Sequence, residues 1–442
     1  MSTTHAPLTT EASTKSQQRK VAAGTLIGTT IEWYDFFIYA QAAGLIFADL
    51  YFKPLGAESS ALAQIVSWAS LGISFLFRPL GAAVAGHLGD RLGRKTMLVL
   101  SLILMGGATA LIGLLPTYAT WGVWAPLLLV FLRVLQGFSA GGEWGGAALM
   151  AVEHAPAQRR GFFGAYPQIG TPLGMVLATA VMFVTTTVLS PEAFLAWGWR
   201  IPFLLSVVLV AVGFFIRRSV EESPMFRRMQ ERKNDSHAPM TVLLRHHLWQ
   251  VIRASLIFVA NNAAGYLLIA FFVSYGTKHL GMEQAPLLLI STVAAVFWLA
   301  FTMTGGIVSD RIGRVRTYQI GYAVLLLWSV PMCLLIETRS LLWFAVALIL
   351  LSLALGLSFG PQAALFAEMF PTSIRYSGVS LGYAIGAVVG GAFAPMIAEM
   401  LVAETGSSVA IGAYITALCL ISLIVVSTVR EPRGIDLDKA GA

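Results

Sequence analysis

Charge is what this chain has least of. Only 12% of its 442 residues are Asp, Glu, Lys or Arg, about half the usual share of a soluble globular protein. A freely soluble domain is excluded on that ground. Cysteine is nearly absent: Cys333 and Cys419 are the whole complement, and both lie in apolar stretches. That count excludes a disulfide framework and a cysteine-based metal cluster, and no metal site is expected. Histidine is sparse and badly placed for catalysis inside a membrane. His5, His87, His154, His237, His246, His247 and His279 all fall in loops or at expected helix ends. No glycine-rich phosphate loop of the Walker kind occurs, which argues against ATP-driven work. The segment from Met1 to Lys20 is polar, with none of the apolar core of a cleaved signal, so the first helix is expected to serve as its own insertion signal.

What the chain has instead is apolar length. Hydrophobic residues make up 57% of it and the mean hydropathy is +0.75. Stretches near the 20 or so residues needed to cross a bilayer recur along the chain. Punctuation by charge and turn residues places them at 21–48, 61–85, 96–115, 123–147, 161–188, 200–217, 248–275, 286–308, 317–336, 341–366, 377–400 and 408–429. The expected fold class is therefore an all-α polytopic membrane protein of twelve transmembrane helices. With the N-terminus inside, one side collects Lys15, Arg19, Lys20, Arg91, Arg94, Lys95, Arg159, Arg160, Arg311, Arg314, Arg316 and Arg375, and a basic central segment joins them. The other side holds Lys53, Arg200, Lys278 and Arg339. Lys and Arg mark the cytoplasmic loops, so both termini are expected inside. The net charge of +7 is then a topology signal, and no nucleic-acid partner is expected.

The chain also repeats itself. "GHLGDRLGRK" returns as "GGIVSDRIGRVR", with Asp90, Arg91, Gly93 and Arg94 matching Asp310, Arg311, Gly313 and Arg314 at an offset of 220. "EHAPAQRRG" returns as "EMFPTSIRYSG", with Glu153, Pro156 and Arg160 matching Glu368, Pro371 and Arg375 at an offset of 215. Two independent pairs at nearly one offset define two six-helix pseudo-repeats. The expected organisation is a tail over 1–20, a half over 21–218, a charged linker over 219–247, a second half over 248–429 and a tail over 430–442. Duplication of this kind points to a transporter whose substrate site lies near the midplane between the halves.

At these residues a resemblance becomes plain. "GHLGDRLGRK" resembles the signature loop of the major facilitator superfamily, and "RVLQGFSAGGEWGGAA" is similar to that superfamily's Arg-bearing proton-coupling motif. Together with "EWYDFFIY", "FLFRPLGA", "WGWRIPF" and "EESPMF", the chain resembles the metabolite:proton symporters over about residues 20–430. That branch includes permeases for shikimate, 2-oxoglutarate, citrate, phthalates and proline/betaine, and the shikimate type lies nearest. The resemblance implies proton-coupled import of a small organic anion or zwitterion by alternating access, powered by the proton gradient without a cofactor, by a monomer in the inner membrane. Efflux by proton antiport and uptake of a compatible solute of the betaine or proline type are the alternatives. One departure matters: the osmosensing members carry a long C-terminal coiled coil, which this sequence does not show.

Charges inside the membrane are few: Glu32, Asp35, Arg78, Arg133 and Glu143, all in the first half. Each costs roughly 2.5–3.5 kcal/mol at a helix centre even on the lenient insertion scale, so each needs a partner or a function. Gly28, Glu32, Asp35 and Tyr39 share one stripe of the first helix, and Arg133, Gln136 and Gly137 share one face of the fourth. Facing stripes predict a pair between Asp35 and Arg133, with Glu32 tuning the proton on Asp35. Apolar surroundings favour the neutral acid and a nearby guanidinium favours the carboxylate, which is the chemistry of a proton switch. A buried ion pair that only fixes packing is the bland alternative. Arg78 either snorkels to the headgroups, pairs structurally, or meets substrate. Tyr39, Gln136, Tyr166, Gln168, Asn261, Asn262 and Tyr266 are substrate-contact candidates, with interhelical glue as the competing reading for the amides. Trp298, Trp328 and Tyr383 read as core. Gly86, Asp90, Arg91, Gly93 and Arg94, with Asp310, Arg311, Gly313 and Arg314, are expected to latch the two halves at the cytoplasmic end. Glu153 with Arg160, and Glu368 with Arg375, are expected to complete that network.

Overall fold

The computed structural model describes residues 15–55, 60–92, 94–219, 239–371, 374–435 and 437. Among them the chain is all helix and turn, with no strand. Twelve long helices correspond one for one to the expected spans. We label them α1 (Lys15–Ala42), α2 (Ser60–Leu92), α3 (Arg94–Leu114), α4 (Trp124–Glu153), α5 (Ala157–Val188) and α6 (Ile201–Ser219). The second set is α7 (Leu248–Lys278), α8 (Gln284–Ile312), α9 (Arg314–Glu337), α10 (Leu341–Met369), α11 (Arg375–Thr405) and α12 (Val409–Ser427). Ten of the twelve are long and apolar enough to cross a membrane. The other two are α3, whose apolar stretch Val99–Leu114 is shorter, and α1, which carries Lys20, Glu32 and Asp35. Most of the central linker lies outside the described residues.

The packing repeats as the sequence does. α1 lies on α5, α2 on α4, and α3 on α4 and α6; six helices later α7 lies on α11, α8 on α10, and α9 on α10 and α12. Between the sets α5 packs on α8 and α2 on α11, which are equivalent places in the two repeats. Large apolar side chains such as Phe131, Val208, Phe215, Leu327, Leu342 and Ile424 are exposed on the outside of the bundle, where hydrocarbon rather than water suits them.

Close packing comes from small residues. A Cβ on Gly137 of α4 would lie 1.8 Å from the Ser74 carbonyl oxygen of α2, and one on Gly81 of α2 would lie 1.9 Å from the Phe138 carbonyl oxygen. Backbones that near admit no side chain at the contact.

Helical regularity is broken in paired places. α4 is interrupted at Gly141–Gly142 and α10 at Gly360–Pro361, corresponding points of the two repeats. Wider π-helical turns occupy Ala43–Phe52 after α1, Leu267–Phe271 in α7 and Ala387–Ala392 in α11. Such turns concentrate at functional sites, and all three belong to helices along the interface between the halves.

Candidate functional site

A narrow cavity with room for about one water molecule lies between the halves. Trp33 of α1 and Thr171 of α5 line it from one side; Asn261, Asn262, Tyr266, Trp298, Phe359 and Tyr383 line it from the other. On this wall Trp33 Nε1, Thr171 Oγ1, Tyr266 Oη and Trp298 Nε1 have no hydrogen-bond partner among the described residues, and the Tyr383 hydroxyl lies beside Arg78. A buried donor left unsatisfied costs about 1–3 kcal/mol, so a wall of them is arranged for something that supplies acceptors. No Asp or Glu is on it. Trp298 and Tyr383, read as core from sequence, are therefore cavity residues. Trp328 is core: its Nε1 donates to the Ala347 carbonyl at 3.1 Å.

Arg78 stands beside this wall. It is 2% exposed, and its guanidinium carbon lies 4.2 Å from the Phe36 ring centre, 4.5 Å from Phe75 and 5.5 Å from Trp33. Snorkelling is thus ruled out; the side chain points into the protein, next to Tyr266 and Tyr383. Its Nε and Nη2 have no protein partner, and among the described residues it forms no ion pair. Aromatic faces help hold the cation.

Arg133 is fully buried and sits elsewhere. Its Nη1 donates to Gln136 Oε1 at 2.5 Å, and its Nη2 to Ser74 Oγ at 2.6 Å and the Leu71 carbonyl at 3.2 Å. Its guanidinium carbon is 3.8 Å from the Tyr39 ring centre, and the Tyr39 hydroxyl is hydrogen-bonded to Ser70 at 2.7 Å. The expected direct pair with Asp35 is not made. Asp35 instead accepts from Ser206 of α6, with Thr109 of α3 also beside it. Gln136 bridges the gap, for its Nε2 donates to Thr109 Oγ1 at 2.7 Å. Asp35 and Arg133 are linked through two neutral side chains because Gln136 occupies the guanidinium face that a carboxylate would need. Glu32 is buried on α1, near Asp35 and Tyr266.

The remaining candidates divide. Asn261 and Asn262 line the cavity, but their amide nitrogens are committed, Asn261 to Ser358 Oγ at 2.6 Å and Asn262 to the Ala387 carbonyl at 3.1 Å. Gln168 joins the halves: it accepts from Trp144 Nε1 at 2.7 Å and donates to the Phe359 carbonyl at 3.1 Å. Trp144 in turn stacks on Tyr383 at 3.8 Å and 10°. Tyr166 is not part of the site; its ring packs against Phe162 and Phe163. Gln136 is a bridge inside the first half rather than a cavity residue.

The end of the bundle that carries the basic loops is shut by crossed contacts. Asp310 of α8 accepts from the backbone N–H groups of Gly161 and Phe162 at the start of α5, each at 2.8 Å, while Arg314 donates to it at 2.6 Å. A carboxylate at a helix N-terminus is favoured by the free amides and the helix dipole. Gly161 is required there, because a Cβ would meet the Gly306 carbonyl at 2.5 Å. The acid–base pairs exchange between repeats: Arg160 meets Glu368 at 3.5 Å and Arg375 meets Glu153 at 3.6 Å. The expected Glu368–Arg375 pair is replaced, since Glu368 is taken by Arg160 and Arg314. Gly86, Asp90, Arg91, Gly93 and Arg94 lie outside the described side chains. Arg311 contributes its carbonyl, which accepts from Arg433.

Sequence reasoning also missed a strap. Glu431, past α12, accepts from the N–H groups of Arg314 and Val315 at 2.8 and 2.9 Å, seated over Gly313 at φ +109°. Farther on, the Ile435 carbonyl accepts from Arg160 at 2.6 Å and the Leu437 carbonyl accepts from Arg375. At the opposite end Lys278 donates to Gln64 at 2.5 Å and Ser274 to the Gly44 carbonyl at 2.9 Å, again between halves. The cavity thus lies between two closures.

The comparisons with known proteins agree with this architecture. The family model described as Major Facilitator Superfamily matches residues 25–395. The inner membrane metabolite transport protein YhjE of Escherichia coli is 38% identical over 95% of both chains. The shikimate transporter of Escherichia coli is 37% identical over 94% of this chain and 95% of its own. A putative proline/betaine transporter of Staphylococcus aureus is 32% identical over 92% and 87%. The fold is that of the proton:xylose symporter XylE, with a TM-score of 0.79 at 18% identity, covering 96% of this chain and 98% of that one. Twelve long helices in two repeats, ten of them apolar enough to cross a membrane, and these relatives converge: the protein is a multi-pass membrane transporter, not an enzyme, and it belongs to the Major Facilitator Superfamily.

Proposed function

We propose that the protein imports a small organic acid together with protons, with its basic end in the cytoplasm of a cell bounded by the inner membrane in which it sits. The observation that carries this reading is Arg78, buried, without an acidic partner among the described residues, and beside a cavity whose free polar atoms are mostly donors. A carboxylate supplies the missing charge and acceptors in one group. Aromatic walls accept the flat or apolar faces of such an acid. Asp35 is the proton carrier: a buried carboxyl that accepts from the neutral hydroxyl of Ser206, lies beside Thr109 and pairs with no cation among the described residues. The proton gradient then drives the cycle, with no cofactor and with the monomer as the working unit. The names of the relatives support a metabolite, shikimate among them.

The aromatic lining favours one second reading. Six rings around a small cavity suit a quaternary ammonium, as a betaine would present. The Arg78 charge beside the same wall opposes that placement, so we rank the acid first. The test is uptake into proteoliposomes of labelled shikimate, 2-oxoglutarate, citrate and betaine under an imposed pH gradient. One of the acids should accumulate, and a protonophore should abolish accumulation without any need for ATP. Accumulation of betaine alone would replace the first reading with the second. Proton-driven export of the acids would reverse the direction.

A further inference from the structure

We propose that Thr109 is a positioning residue for proton coupling: its single hydroxyl proton reports to Arg133 whether Asp35 is protonated. This rests on the reading of Asp35 as the proton carrier.

The argument is one of hydrogen-bond counting. Gln136 has both ends of its amide engaged, and the order is forced. Arg133 can only donate, so the Gln136 carbonyl faces it, and the Gln136 NH₂ must face Thr109. Thr109 Oγ1 therefore accepts from Gln136 and keeps one proton to give. That proton goes to the Met105 carbonyl, at 3.0 Å, one turn back in α3. Its alternative is the Asp35 carboxyl beside it. An ionised Asp35 accepts only, and draws the Thr109 proton away from Met105. A neutral Asp35 carries its own O–H, which needs an acceptor; Thr109 has a lone pair left and returns its proton to Met105. Binding one proton at Asp35 thus turns one hydroxyl. A hydroxyl that donates to a carboxylate is a stronger acceptor than one that donates to a carbonyl, so the bond from Gln136 to Thr109 tightens or slackens with the charge on Asp35.

The turn matters because of what hangs from it. Thr109 fixes Gln136, and Gln136 fixes one arm of Arg133. The other arm holds Leu71 and Ser74 of α2. Between those two residues Gly72 of α2 packs against Ala392 and Phe393 of α11, where a Cβ would meet the Ala392 carbonyl at 2.5 Å. The route from the proton to a contact between the halves is therefore continuous. The titratable groups that face Asp35 are Glu32 and Tyr34 on its own helix and Arg133 of α4 through Gln136. Among the described residues, α3 and α6 face it with the hydroxyls of Thr109 and Ser206.

Thr109→Val keeps the shape and removes the hydroxyl; Thr109→Ser keeps the hydroxyl. In proteoliposomes, Thr109→Val should lower pH-driven accumulation of the transported acid about tenfold, the scale of one hydrogen bond to a charged group. Substrate exchange without a gradient should stay near wild type, and Thr109→Ser should restore accumulation. Infrared pH titration of the purified protein supplies a readout that needs no substrate. The carboxyl band that vanishes in Asp35→Asn should move, in frequency and midpoint, in Thr109→Val and not in Thr109→Ser. A band and an accumulation unchanged in Thr109→Val overturn the proposal, as does equal loss of exchange and accumulation in both variants. Should Thr109→Val not fold, Thr109→Ala carries the same test. If Asp35→Asn itself still accumulates substrate, the carrier assignment fails, whatever Thr109 does.

Discussion

Arg78 and Asp35 are opposite cases of the same problem, a charge-bearing group placed where hydration is lost. Arg78 is held by ring faces and leaves donors free; Asp35 is held by hydroxyls. Lysine cannot replace the first, because a compact ammonium neither stacks on Phe36 and Phe75 nor offers a fork. Arg78→Lys should raise the KM for the transported acid at least about tenfold, the weight of a charge-assisted pair, with the protein still folded; initial-rate uptake checks it. Asp35→Asn fixes the protonated shape, so it should abolish accumulation and retain exchange, while Glu32→Gln should only move the pH optimum. The reverse pattern would make Glu32 the carrier. These charges were legible in the sequence because each interrupts an apolar run. Thr109 and Ser206 were not, since an isolated hydroxyl in a helix satisfies itself on the carbonyl one turn back and leaves no mark on hydropathy. The direct Asp35–Arg133 pair was mispredicted for a related reason: helical spacing shows which residues share a face, but not that Gln136 will fill the space between.

Among the elements, α2 and α4 meet where glycine is indispensable. Gly137→Val would drive a side chain into the Ser74 backbone, and overpacking of that kind costs about 1–3 kcal/mol or more. Thermal melting of the detergent-solubilised protein should show a marked fall for Gly137→Val. Gly107→Val, at a position with nothing within 4 Å, should melt near the wild type. Helix number and order could be read from the sequence, because a membrane leaves apolar length as the one strong signal. The breaks at Gly141–Gly142 and Gly360–Pro361 were half visible in their residue types. The π-helical turns were not visible: one extra residue per turn changes neither composition nor mean hydropathy. Span boundaries moved outward for a physical reason, since helices continue beyond the hydrocarbon into polar residues such as Glu153 and Arg314.

For the whole molecule, the crossed contacts at the basic end set how the halves part. Opening there must release Asp310 from the start of α5 and undo both exchanged pairs, Arg160–Glu368 and Arg375–Glu153. Asp310→Asn weakens the central contact. It should raise labelling of a Ser380→Cys reporter by an impermeant maleimide severalfold from that end, with substrate affinity little changed. Cys333 and Cys419 are buried and contribute little background. Unchanged labelling would remove Asp310 from the closure. The duplication in the sequence singled out Asp310, Arg314, Glu153, Arg160, Glu368 and Arg375, and the structure brings them together at this end. It did not foretell that the acid of one repeat would take the base of the other, because repeats read along a chain carry no information about which copy a side chain reaches.

The strap that follows α12 has a practical side. Through Glu431, Ile435 and Leu437 the C-terminal segment is tied to Arg314, Arg160 and Arg375, so it rides on both halves of the contact that the proposed cycle would part. Anything grafted onto that end for purification, fluorescence or surface attachment is fastened to a moving part. A handle there would report the state of the transporter, and a bulky or immobilised one would also bias it. A sensor of turnover could be built on the same tether.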